Sequence, residues 1–158
     1  MKDQNQVVVS LGQTLAEEYI LMLKTQNFHW NVEGPAFVQY HLLFDQIASD
    51  IGSTLDRCAE YIRAGGEYAP ASFSRYTELS VIKDEIAIPN SVRMLTIMRD
   101  DCNTMIAAVI ELFKVSNSEN EQGVANFSAE LQDKFSKWKW QLNSCIPKSV
   151  GPLRQYKD

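Results

Sequence analysis

The chain has only two histidines, His29 and His41, and both fall in one stretch, HWNVEGPAFVQYHLLFDQIASDIGSTLDRCAE, residues 29–60. Three carboxylates in it, Asp45, Asp56 and Glu60, share a helix face with His41. Imidazole and carboxylate together form a donor set that suits iron, manganese or zinc. No cysteine belongs to the set, which disfavours a structural zinc site. The competing reading is a solvated acidic helix face beside a core histidine.

The helix that carries these groups is read from its apolar residues. Phe37, Tyr40, Phe44, Ile47, Ile51, Leu55, Cys58 and Ile62 follow three- and four-residue steps, opened by Gly34-Pro35 and closed by Gly65-Gly66. At about 100° per residue, His41, Asp45, Asp56 and Glu60 occupy an arc of roughly 100° beside that stripe. His41 and Asp45 are neighbours one turn apart, and so are Asp56 and Glu60. The two pairs cannot share an ion within one chain. Asp45 and Asp56 are about 16 Å apart along the axis, whereas an ion needs its ligands within about 2–2.6 Å. The pairs are, however, mirror-placed. An antiparallel second copy of the helix sets His41 opposite Glu60 and Asp45 opposite Asp56, twice. Between them lie Ala48, Ser49 and Gly52, small enough for two backbones to approach. The spacing therefore predicts a two-fold dimer with two equivalent metal sites at its interface.

The rest of the chain reads as scaffold. Residues Val7 to Asn31 form a second long helix, with Leu11, Leu15, Tyr19, Met22, Leu23 and Phe28 on its apolar face. A short link, residues 31–35, reverses the chain and brings His29 beside His41 and Asp45. Residues 65–89 make a long connection holding Pro70, the polar stretch Ser72–Glu78 and a short periodic piece, Leu79 to Ile86; a crossover with a short helix fits. Asn90 or Ser91 caps a third long helix to about Ser116, with Val92, Leu95, Met98, Cys102, Met105, Val109 and Leu112 buried. After the polar turn SNSENEQ, a fourth runs from about Val124 to Asn143 with Phe127, Leu131, Phe135, Trp138 and Leu142, and Pro147 stops it. The expected fold is all-α: a four-helix bundle with one long crossover. An intra-bundle di-iron site needs a glutamate three residues before a histidine. Gln26 and Val38 stand there instead, so the interfacial site is the one supported.

At 158 residues the chain makes one domain able to bury its own core, with short polar tails at about 1–6 and 147–158. A net charge of −5 argues against nucleic-acid binding driven by overall charge, while leaving room for a local basic patch. No run of about 18 apolar residues predicts a membrane span. The start, MKDQNQVVVS, lacks the apolar stretch of a signal peptide, so a cytoplasmic location is expected. Cys58, Cys102 and Cys145 are widely spaced and read as reduced, mostly buried thiols. Cys58 faces the core stripe, which gives it a structural role, with a response to peroxide as the minor alternative.

The run HWNVEGPAF, then His41 and Asp45, then DRCAEYIR from Asp56 to Arg63, resembles the Dps family, the mini-ferritins also called DNA-binding proteins from starved cells. The resemblance extends from about Leu11 to Leu142. It implies a ferritin-like bundle and an intersubunit ferroxidase centre, with His29, His41 and Asp45 from one subunit and Asp56 and Glu60 from its two-fold mate. It further implies oxidation of Fe(II) to Fe(III), with hydrogen peroxide as the preferred oxidant. Ferric mineral would be stored in a hollow dodecamer, in protection against oxidative damage. Zinc or manganese in place of iron is the alternative. The short crossover helix would lie near the two-fold axis. Trp30 would lie near the iron, where its ring could intercept a stray oxidising equivalent; the other reading is a core tryptophan. A three-fold pore would be lined by Glu121, Asn126 and Glu130, with Asn126 replacing an aspartate frequent in the family; the plain reading is surface acids at a helix N-terminus. Tyr61 stands where the family commonly has arginine.

DNA binding is poorly supported by the tails. Lys2 is offset by Asp3, and Lys148, Arg154 and Lys157 face Asp158 in a short, mildly basic end. A nucleoid-associated, DNA-protecting protein with iron secondary is the alternative reading, and a metal-free helical scaffold is a third.

Overall fold

The computed structural model describes residues 5–148, and within them five helices and no strand form. The first, α1 (Gln6–Asn31), begins where the Asn5 side chain accepts the Val7 and Val8 backbone N–H groups. Asn5 and Gln6, expected in a polar tail, thus open the helix instead. The second, α2 (Phe37–Ala64), begins two residues past Pro35. Gly34 takes φ +112°, which a side chain would oppose, and the Phe37 N–H bonds its carbonyl at 3.0 Å. Residues 34–36 are therefore a turn ahead of the helix. Gly65 and Gly66, the latter at φ +89°, close α2 as its sequence predicts.

The crossover carries a short helix, as its sequence suggests. Its short helix, α3 (Phe73–Leu79), forms in the polar stretch, where the Ser72 hydroxyl accepts the Arg75 N–H and Tyr76 turns inward. The periodic piece that follows has no regular structure because a buried side chain takes its backbone donors. Glu17 of α1, wholly out of solvent, accepts from the Ser80 hydroxyl (2.6 Å), the Val81 N–H (2.9 Å) and the Ile82 N–H (3.0 Å). A helix over 79–86 would need those amides for itself.

Asn90 caps α4 (Ser91–Ser118) by accepting the Arg93 N–H at 2.9 Å. A tight turn with Asn120 at φ 60° leads into α5 (Gln122–Cys145). Cross-helix partners give the directions. Phe28 and His29 near the end of α1 meet Phe44 and His41 of α2, while Glu18 meets Thr54. Lys24 and Thr25 reach Asp101 and Met98 of α4. Tyr40, Asp50 and Tyr61 of α2 reach Cys145, Trp138 and Gly123 of α5. So α1 runs antiparallel to α2 and α4, and α2 antiparallel to α5, the arrangement one long crossover produces. Phe28, Phe44, Phe127 and Phe135 fill the centre with no exposed surface. Burying each contributes about 1.5–3 kcal/mol. No helix among the described residues is long and apolar enough to cross a membrane.

Candidate metal centre

The α1–α2 turn makes the two histidines face each other. His29 Nδ1 lies 2.7 Å from the His41 carbonyl, and His41 Nδ1 lies 2.7 Å from the His29 carbonyl. A carbonyl only accepts, so in both rings the proton is on Nδ1. A neutral imidazole held this way keeps its lone pair on Nε2, the tautomer that a metal ligand needs. The His29 carbonyl lies in the last turn of α1, where carbonyls lack helical donors. The His41 side chain thus satisfies a group the helix end leaves open. The rings stack at 4.0 Å between centroids, and Phe37 stacks on His41 at 4.9 Å. Phe37 was expected in the buried stripe. It stands 41% exposed instead, because it covers the imidazole rather than the bundle interior.

Asp45 completes what one copy offers. Its Oδ1 is 3.7 Å from His29 Nε2. That is too long for a hydrogen bond. It suits two ligands of one ion, since donors each about 2.0–2.2 Å from a metal stand at most about 4.4 Å apart. The Asp45 carboxylate is 63% exposed and free to turn outward. Asp56 and Glu60 lie further along α2, also exposed, and neither forms an ion pair among the described residues. Among the described residues of one copy, no three histidine, cysteine or acidic groups come together as a metal cluster. The chain thus stacks His29 on His41 and sets Asp45 3.7 Å from His29, short of a three-ligand cluster, and leaves Asp56 and Glu60 further along α2.

One outward stripe of α2 carries Val38 (61% exposed), Leu42 (53%), Asp45, Ser49, Asp56 and Glu60 at helical spacing. The small residues expected there divide. Ser49 is exposed and Gly52 half-buried, but Ala48 is buried in register with Phe44 and Ile51.

Asp56 also borders a cleft of about 300 Å³ between α2 and the crossover, lined by Gly52, Ala59, Tyr19 and Tyr76. Tyr19 and Tyr76 stack at 4.5 Å, 14° from parallel. Burial, the nearby Tyr19 and Cys58 push the Tyr76 phenol up to about 12. Trp30 is 67% exposed and lines a different cleft with Asn27 and Ile86. It is not a core residue.

The residues expected at a pore are exposed at the start of α5, but Glu130 is engaged: Arg57 of α2 pairs with it at 2.7 Å and lies over the Tyr61 and Phe127 rings. Tyr61, standing where arginine is common, donates to the Gly123 carbonyl. Of the three thiols, Cys58 and Cys102 are buried; burial pushes Cys58 well up and Cys102 to about 12, which keeps both protonated and unreactive. The first residues and the basic end from residue 149 onward lie outside the described residues.

Glu18 was not singled out in sequence. It is wholly buried in α1, with Oε1 2.7 Å from the Thr54 hydroxyl and no partner for Oε2 among the described residues. Burial raises its pKa to about 7, against the lowering effects of Thr54 and Lys134. The Thr54 hydroxyl also lies 2.8 Å from the Ile51 carbonyl. The Thr54 hydroxyl thus has two acceptors within reach, the Glu18 carboxyl and the Ile51 carbonyl. The signal was available, since Glu18 sits seven residues after Leu11 and three after Leu15, on the apolar face.

A family model for the ferritin-like domain matches residues 9–148. An uncharacterised low temperature-induced protein of Nostoc is 29% identical over 147 residues, covering 91% of this chain and 82% of its own length. The DNA protection during starvation protein 2 of Bacillus anthracis is 24% identical over 141 residues, covering 89% of this chain and 97% of its own. Dps from Staphylococcus aureus superposes with a TM-score of 0.89 at 21% identity, over 94% of this chain and 100% of that one. The Vibrio cholerae Dps protein, described as a member of a broad superfamily of ferritin-like diiron-carboxylate proteins, superposes at 0.85 and 21%, over 88% of this chain and 87% of that one.

Proposed function

This chain belongs to the ferritin-like family, among the Dps proteins, and from that premise we propose that it is a ferroxidase that oxidises Fe(II) with hydrogen peroxide and stores the ferric product. The observation that carries the reading is the reciprocal histidine lock. Two Nε2 lone pairs and the Asp45 carboxylate are held ready at the α1–α2 turn, in a set one copy leaves incomplete. Asp56 and Glu60 of the partner subunit complete it when the outward stripes of two α2 helices pack antiparallel. Val38 and Leu42 lose their exposure in the same step, which gives the contact a hydrophobic drive.

Each part has a chemical task. The imidazoles hold Fe(II), and the carboxylates favour the more highly charged Fe(III) product. Phe37 covers one face of His41 and limits water there. Two Fe(II) ions each give one electron to the O–O bond of peroxide, and two protons complete two waters, so no hydroxyl radical leaves. Zinc or manganese would compete for the same donors. Storage needs an enclosed space, which a dodecamer of such dimers would provide. With Glu130 engaged by Arg57 and Asn126 neutral, Glu121 would supply most of the acidity of a pore.

The test is anaerobic addition of Fe(II) followed by peroxide, comparing the wild type with the Asp56→Ala, Glu60→Ala double variant. Loss of shared ligands should slow ferric formation at least roughly tenfold. Equal rates would remove the proposed site.

A further inference from the structure

We propose that Glu130 is a positioning residue for the metal centre: it holds the Arg57 guanidinium against α5 and so leaves Asp56 and Glu60 unpaired for Fe(II). The proposal rests on the ferroxidase reading, which makes those two carboxylates ligands. Its own observation is the place of Arg57. That residue follows Asp56 directly and stands three before Glu60. Side chains three apart on a helix are neighbours, and a guanidinium binds a carboxylate through two parallel N–H groups. Left to α2 alone, Arg57 would therefore close on the oxygens that the metal needs.

The fold turns it the other way. Its Nη1 meets Glu130 Oε2 at 2.7 Å, and its Nη2 lies 3.5 Å from the Tyr61 hydroxyl. The guanidinium carbon stands 4.8 Å from the centre of the Phe127 ring and 5.7 Å from that of Tyr61. The two rings are 5.5 Å apart, Phe127 is wholly buried, and the Tyr61 hydroxyl donates to the Gly123 carbonyl. This seat is thus fixed by α5. The rings attract the flat face of the cation, and Glu130 is the carboxylate there that answers its charge. Asp56 and Glu60 meanwhile are exposed and form no ion pair among the described residues. Without Glu130, Glu60 and Asp56 become the next carboxylates in reach, and a guanidinium turned onto either competes with the metal for the same lone pairs.

The experiment titrates Co(II), a redox-stable probe for the Fe(II) site, into the assembled protein and follows heat and the visible ligand-field bands. The Asp56→Ala, Glu60→Ala double variant identifies the binding that belongs to the shared site. In Glu130→Ala that binding should weaken roughly tenfold. Adding Arg57→Gln to Glu130→Ala should restore the wild-type affinity, a rescue that a merely structural role for Glu130 would not give. A second arm is free of metal: in a crystal structure of Glu130→Ala the Arg57 guanidinium should lie within hydrogen-bond distance of Glu60 or Asp56. An unchanged affinity in Glu130→Ala, a Glu130→Ala, Arg57→Gln protein as weak as Glu130→Ala, or a guanidinium still seated over Phe127 overturns the proposal. A wild type without binding that depends on Asp56 and Glu60 would count against the ferroxidase reading instead, and the metal-free arm still decides whether Glu130 steers Arg57.

Discussion

Replacing Glu18 with Gln tests the buried acid of α1 directly. The folded chain holds its proton up to about pH 7, where an unperturbed carboxyl releases it near 4.5. Below pH 4.5 folded and unfolded chains are both protonated and the group costs nothing extra. Between 4.5 and about 7 the unfolded chain ionises while the folded one resists, so stability is progressively lost. Above about 7 the loss is complete, and a shift of that size corresponds to about 3 kcal/mol. Glu18→Gln keeps the shape and an acceptor for the Thr54 hydroxyl, and it cannot ionise. Urea unfolding of both proteins across this range should give a difference in stability near zero at pH 4.5. The difference should grow in favour of Gln by about 3 kcal/mol near pH 7.5, then level off. A difference that does not change with pH would refute the neutral, desolvated acid. A wild type that gains on the variant as pH rises would show that Lys134 compensates a buried carboxylate.

Two further expectations follow from the packing. Glu17→Ala leaves the Val81 and Ile82 amides without their acceptor, at about 1–3 kcal/mol each, while the Ser80 hydroxyl keeps the Ile82 carbonyl; hydrogen exchange at Val81 and Ile82 should rise well before that of α4, and unchanged protection would show that the clamp is dispensable. Glu130→Gln breaks an ion pair whose partners are 44% and 61% exposed, so it should cost under about 1 kcal/mol; a larger drop in thermal stability would show that Arg57 is held by more than its rings.

The four long helices and most of their limits were legible because each carries one apolar stripe and a local stop or cap, such as Asn90 before α4 and Gly65-Gly66 after α2. The grouping of His29 with His41 and Asp45 was legible too, since a short reversal between two helices leaves little choice of neighbours. Their reciprocal bonds to each other's carbonyls were not, because nothing in the spacing fixes a ring's rotation. The short helix of the crossover was expected, but its place at Phe73–Leu79 was not legible. A carboxylate some sixty residues earlier, Glu17, captures the amides of Val81 and Ile82 just beyond it. Arg57 and Glu130 show the same limit: both look like free surface charges until α2 and α5 pack. Ala48 was read as part of an outward stripe of small residues, though its register with Phe44 and Ile51 buries it inside the bundle.

The most direct measurement mixes two dead chains. One carries His29→Ala and His41→Ala, the other Asp56→Ala and Glu60→Ala, and each is unfolded and refolded alone or with the other. If two copies share each site, a mixed dimer regains one intact centre, and random pairing restores roughly a quarter of the wild-type sites. Ferroxidase activity at about that level in the mixture, with none in either parent, is the predicted result. A mixture as inactive as its parents, or either parent active by itself, would contradict a centre built between two chains.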